Sequence, residues 1–233
     1  MNLLWNRRAF LSAAALSATV ALPAALPAAD LLMPTDQADE LGFRIMWYNP
    51  SPAIVPATYA LRIGGLIEKP QSLSIADLRR LPRETQNSRM KCVQGWSSRT
   101  DWGGFRFGQL VEIAKPTKAA RAIRVDCADK WFEYFTLEQM SSRRVMLAMD
   151  MAGKPLSAQH GAPLRLIDPA RYGYKSCKLV TAITFVAEGK GRMAVDLGPY
   201  YTPGGEILAG YDHPLDLGAK IRRRNQAGEI TEY

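Results

Sequence analysis

Short apolar stretches, each broken by glycine, proline or a polar turn, recur from Tyr59 to Ala187. Residues 59–63, 87–93, 122–127, 131–136, 145–151, 164–167 and 179–187 read as strands. Ser74-Ile-Ala-Asp77 has the form of a capping box that opens a short helix to Leu81. Residues 107–114 read as a second short helix, ended before Pro116, and 137–141 as a helical turn. Strands and helices intermix without a regular βαβ rhythm. The expected class is therefore α+β, mixed sheets with short helices, rather than a doubly wound sheet. No G-x-G-x-x-G or G-x-x-x-x-G-K-[ST] segment is present, so nothing points to a dinucleotide or P-loop site.

Residues 6–11 read Asn-Arg-Arg-Ala-Phe-Leu and run into an apolar stretch to Ala29 that holds Pro23 and Pro27. A charged start, an apolar middle and small residues at the end are the layout of a signal peptide, and paired arginines mark the twin-arginine type. The expected division is a twin-arginine signal peptide over 1–29, cut near Ala28 or Ala29, and one domain over 30–233. An ordinary secretory leader or a short anchor helix is the alternative. The twin-arginine route carries folded proteins, so a cofactor inserted before export to the periplasm is expected. No second apolar segment of about 20 residues follows, so the mature protein is expected to be soluble. Lys and Arg number 30 against 22 Asp and Glu, a net charge of +8. The longest basic run is Arg222-Arg223-Arg224, and no aromatic–basic interleaving accompanies it. Nucleic acid is thus not an expected partner, and an anionic cofactor is a better use for the excess.

The 3 cysteines, Cys92, Cys127 and Cys177, form no C-x-x-C pair, which excludes a zinc ribbon, a disulfide scaffold and a C-x-x-C-H haem site. The 2 histidines, His160 and His213, are too few for a histidine-rich metal site. Cys92 ends a predicted strand within Arg89-Met-Lys-Cys-Val-Gln-Gly-Trp-Ser97, with cations at 89 and 91. Positive neighbours favour the thiolate, the form that binds metals and attacks electrophiles. An inert core cysteine, a metal ligand and a nucleophile all remain open on this chemistry. A second cluster, 159–178, holds His160, Arg165, Arg171, Lys175 and Lys178 with glycines at 161 and 173. Such residues suit a phosphate that the backbone approaches closely, although basic loops are also common as solvated faces.

Together the clusters resemble the oxidoreductase molybdopterin-binding domain of the sulfite oxidase family. Met90-Lys-Cys-Val-Gln-Gly-Trp-Ser97 is similar to its molybdenum-ligating cysteine segment, and Trp102-Gly-Gly-Phe105 to its Trp-x-Gly segment. His160-Gly-Ala-Pro-Leu-Arg165, followed by Tyr172-Gly-Tyr-Lys-Ser-Cys-Lys178, is similar to its pterin-phosphate segment. The resemblance implies a molybdenum–molybdopterin cofactor with one pterin dithiolene per metal and Cys92 as the catalytic thiolate ligand. It implies that Arg89, His160, Arg165, Lys175, Ser176 and Lys178 bind the cofactor, by side chain or backbone. Cys127 and Cys177 are then core residues in strands, with a mutual disulfide as the alternative.

Where sulfite oxidases carry an Arg-Asn-His segment, this chain reads Met46-Trp-Tyr-Asn-Pro-Ser-Pro52. Of that segment Asn49 alone has a counterpart, and the missing cations weigh against sulfite. The periplasmic methionine-sulfoxide reductase catalytic subunits resemble the chain better, and Trp47, Tyr48 and Asn49 are the expected substrate entrance. The implied activity is two-electron oxygen-atom transfer, S-oxide reduction, on a small-molecule or protein-bound sulfur substrate. Electrons would come from a separate membrane haem protein or cytochrome. A sulfite dehydrogenase feeding a cytochrome is one alternative, and a non-catalytic exported binding protein is another. The stretch after Ala187 is short for the family's dimerisation domain, so a monomer is expected.

Overall fold

A computed structural model describes residues 38–47, 49–50, 52–93, 96–189 and 201–207. The expected leader over 1–29 and Tyr48 lie outside the described residues. Strands β1 (Ala60–Gly65), β2 (Gln71–Ser74), β3 (Glu84–Lys91), β4 (Ser97–Arg106), β5 (Ala122–Cys127), β6 (Phe132–Thr136), β7 (Met146–Met151), β8 (Lys154–Pro155), β9 (Arg165–Ile167) and β10 (Val180–Val186) alternate with three short helices. These are α1 (Ile75–Arg80), α2 (Phe107–Ala114) and α3 (Leu137–Met140). The α+β expectation holds.

One sheet runs β2-β1-β10-β5-β6, with β1 and β10 parallel and the other pairs antiparallel. The other runs β3-β4-β7-β8, with β9 on β7. Between the sheets lies the main core, built from Leu61, Ile63, Phe105, Ile123, Val125, Leu147, Ile183 and Phe185. The helices add Leu78, Leu110 and Met140 to it. Strand β7 is buried on both faces: Leu147 and Met149 turn into the main core, while Met146, Ala148 and Met151 join Phe43, Met90 and Trp102 on the far side. A strand covered twice carries a continuous apolar run instead of an alternation.

Local signals fixed the helices. In α1 the Ser74 hydroxyl accepts from the Asp77 N–H and the Asp77 carboxylate accepts from the Ser74 N–H, the predicted capping box. Thr136 and Gln139 repeat the device at α3. Strand β4 was not predicted, because Ser97–Arg106 is polar and carries two glycines. Those glycines serve a register shift between β4 and β7 at Gly103/Gly104, where a β-carbon on Gly104 would collide with the Leu147 carbonyl.

Candidate cofactor site

Strand β3 delivers the cysteine. Its last residues pair with the start of β4 (Lys91 with Ser97), and the Cys92 N–H donates to the Trp96 carbonyl at 2.9 Å. Cys92 is buried, and it faces a cavity of about 110 Å³ between the two sheets. Met90, Trp96, Trp131 and Tyr201 supply apolar wall, and His160, Arg165, Ser176 and Lys178 supply polar wall. Five of the expected site residues, distant in sequence, thus converge on one cavity.

Arg165, the first residue of β9, carries the strongest electrostatic signal. It is 5% exposed, and among the described residues no carboxylate pairs with it. Its Nη1 donates to the His160 carbonyl at 3.2 Å and its Nη2 to the Met90 sulfur at 3.1 Å, while Nε finds no acceptor. Trp102 of the Trp-Gly-Gly-Phe segment lies beneath it, 5.2 Å from ring centroid to guanidinium carbon. Burial pulls this guanidinium down to about 10. Lys178, half-buried, lines the same cavity near Asp129: its Nζ donates to the Met46 carbonyl at 2.5 Å and sits 3.4 Å from the Trp47 ring centroid. Burial, then Arg165, hold its ammonium well below the ordinary lysine value. A buried guanidinium without an ion-pair partner, with a half-buried ammonium beside it, is costly unless an anion completes the site. Gly161 lets the 157–161 turn close over Lys178: at φ +97°, a β-carbon there would lie 2.7 Å from the Lys178 Cβ.

His160 shares a 2.8 Å hydrogen bond with Asp39 through Nε2 and packs edge-on to Phe43. Burial, then Arg165, lower its proton affinity, and Asp39 opposes them. The unfolded imidazole titrates near about 6.5. As pH falls through that value the unfolded chain takes the proton first, so this contribution to stability is whole above it and declines below it. His160→Gln is expected to flatten the fall in melting temperature between about pH 6.5 and 5.5. An unchanged slope would rule the linkage out.

Other expected residues fall elsewhere. The Lys175 side chain does not reach the cavity; its Nζ donates to Glu133 Oε2 at 2.6 Å, to the Tyr134 carbonyl at 2.9 Å and to the Pro203 carbonyl at 3.2 Å. Arg89 does not reach it either. Gln86, Ser88 and Met90 are buried on one face of β3, and Arg89 on the opposite face donates to the Ser97 hydroxyl. Trp47 packs on the Lys178 ammonium and Asn49 donates to the Asp129 carbonyl at 2.7 Å, and neither side chain is part of the cavity lining. Cys177 is not in a strand; it follows the 3₁₀ turn Gly173–Lys175 and lines the cavity.

Sequence reasoning gave no role to Arg44, Asp129 or Tyr201, which also line the cavity. None lies in a recurring motif, and each arrives from a loop. Burial, then the nearby Cys92, push the Tyr201 phenol up to about 12, so its O–H stays intact at neutral pH. No three His, Cys, Asp or Glu side chains gather into a metal site among the described residues. A metal at Cys92 therefore needs donors from a bound group.

The family model of the oxidoreductase molybdopterin binding domain matches residues 48–193. The chain belongs to this family. Proteins of similar sequence include the protein-methionine-sulfoxide reductase catalytic subunit MsrP of Campylobacter jejuni, 33% identical over 147 residues. That alignment spans 56% of this chain and 50% of the relative. MsrP of Xanthomonas axonopodis pv. citri is 31% identical over 173 residues, spanning 67% of this chain and 54% of the relative. The chain thus spans about half the length of the curated relatives it matches. The sulfane dehydrogenase SoxCD of Paracoccus pantotrophus shares the fold, with a TM-score of 0.61 at 20% identity over 73% of this chain and 55% of that one.

The residues fit the family's cofactor. The Cys92 sulfur, the buried Arg165 with its orphaned Nε–H and the half-buried Lys178 all line this cavity, a donor set that suits a metal and a phosphate.

Proposed function

We propose that this chain is an exported, molybdenum-cofactor-dependent oxidoreductase that removes the oxygen atom from an S-oxide. The net change is S-oxide plus two electrons and two protons to sulfide plus water. Electrons come from a separate haem protein or cytochrome, and the leader read in the sequence places the reaction in the periplasm. The observation that carries the reading is the buried Arg165, without a carboxylate partner among the described residues, facing the Cys92 cavity beside Lys178.

When bound, the molybdenum–pterin group supplies the two-electron oxygen-atom transfer. Cys92 would hold the metal. Arg165 and Lys178, with the Ser176 and His160 segments, would hold the phosphate. The Trp47 ring and the Met46 carbonyl keep the Lys178 ammonium aimed. Trp96, Trp131 and Phe43 wall out water, and Tyr201 presents a protonated hydroxyl beside Cys92.

The test is molybdenum per chain in protein exported with its own leader, followed by methionine-sulfoxide reduction with a reduced viologen dye. One metal per chain and turnover are expected. No metal, in a host shown to load another molybdoenzyme, overturns the reading. Arg44 at the exposed rim favours one second reading, an anionic substrate such as sulfite. Sulfite-dependent cytochrome reduction, lost in Arg44→Ala, would establish it.

Arg165→Met separates the roles of the buried charge. Relieving an unpaired buried cation is expected to leave the cofactor-free chain as stable as wild type, or more so. Losing charge-assisted bonds of about 1.5–3 kcal/mol is expected to lower molybdenum content at limiting cofactor by about tenfold or more. Thermal melts and metal analysis read the two effects separately.

A further inference from the structure

Two thiols outside the metal-ligating role meet in the wall of this cavity. Cys127 ends β5 opposite Val180 of β10, and Cys177 lies in the loop just before that strand. Backbone bonds fix both: the Ala128 N–H donates to the Leu179 carbonyl at 2.9 Å, and the Leu166 N–H donates to the Cys177 carbonyl at 2.8 Å. Cys127 and Cys177 are 6% and 2% exposed and both free, and after burial Cys177 is the neighbour that does most to hold the Cys127 thiol up. The Arg165 guanidinium acts on Cys177 and the Lys178 ammonium on Cys127. Cys177 lines the cavity between Ser176 and Lys178, whereas Cys127 sits behind it.

We propose that Cys127 and Cys177 form an oxidisable dithiol, a modification site that closes to a disulfide in the cofactor-free chain and is shielded once the cavity is filled. The pair stands on its own geometry; the shielding rests on the cofactor reading above. A small disulfide oxidant can reach Cys177 only through the cavity. Cys177, as its thiolate, attacks one oxidant sulfur and expels the other as a thiol. Cys127 then attacks the Cys177 sulfur of the mixed disulfide and expels the second thiol. Two S–H bonds are lost and one S–S bond forms, and the oxidant, reduced by two electrons, carries away the two hydrogens. The new bond ties Cys177, and the Lys178 ammonium next to it, to the end of β5. Burial pushes the Cys127 thiol up, so closure should quicken with rising pH.

The test incubates the full-length chain with oxidised glutathione, in cofactor-free form from a host blocked in cofactor synthesis and in loaded form. Free thiols are then counted in denaturant, and the disulfide is mapped by peptide mass. In the cofactor-free chain thiols are expected to fall from 3 to one, with Cys127 linked to Cys177 and the chain lighter by two hydrogens. Cys92→Ser is expected to fall from two thiols to none, and Cys177→Ser to form no internal disulfide. Persistence of all 3 thiols in the cofactor-free chain, or a disulfide that includes Cys92, overturns the pair. Equal oxidation of the loaded chain leaves the pair standing and overturns the shielding, and with it the placing of the cofactor in this cavity.

Discussion

Cys92→Ser is expected to end S-oxide reduction while the chain keeps its fold. The Cys92 N–H donates to the Trp96 carbonyl, and a serine N–H can make the same bond. The hydroxyl is a poor substitute for a soft thiolate donor at the metal. Loss of an outer partner of a metal ligand costs roughly 10–100-fold, so removal of the ligand itself should exceed about 100-fold. Circular dichroism and thermal melts of the cofactor-free variant should match wild type. Turnover within tenfold of wild type would remove Cys92 from the metal.

Lys175→Met is expected to have the largest effect on stability. Its Nζ and Glu133 Oε2 lie 2.6 Å apart with side chains 1% and 0% exposed. Removing one member of such a buried pair costs about 3–5 kcal/mol. Against a total stability of about 5–15 kcal/mol that is a large share, worth roughly 6–20 °C in melting temperature at this chain length. The double replacement Lys175→Met with Glu133→Leu should recover more than half of the loss, because an apolar pair of similar volume is often as stable as the ions. The result also decides what Lys175 is for. A loss seen in the cofactor-free chain makes it a clamp, which ties the turn before Cys177 to the carbonyls of Tyr134 and Pro203. A normal melt with lost molybdenum would instead make it a cofactor ligand, the role the sequence resemblance implies.

The difference between Lys175 and Lys178 shows where sequence reading stops. Both are basic, in one short glycine-bearing segment, and equally suited to phosphate. Only the 3₁₀ turn Gly173–Lys175 decides that one side chain runs back to β6 while the other reaches the cavity. Arg89 is a similar case. A one-residue step along β3 reverses the face, and the sequence does not show whether the site lies on the side of Met90 or of Arg89. Elements with strong local signals, such as the Ser74 capping box and the alternating 122–127 strand, were legible because their cause is local. Strand β4 was not: its pairing comes from β3 and β7 on either side, and its own residues carry little apolar pattern. Tyr201 and Asp129 enter the cavity from loops, where no periodicity reports on burial.

The placing of β10 between β1 and β5 bears on how the chain matures. The first and last strands of that sheet are parallel neighbours, so the sheet stays split until Val180–Val186 has left the ribosome. Earlier segments wait without the pairing edge they need, and a fold dominated by such distant pairings forms slowly. Cys177 and Lys178 are positioned by the entry of this same strand. The wall that holds Cys177 and Lys178 is therefore incomplete until this strand enters, and on the proposed reading cofactor capture follows closure of the sheet.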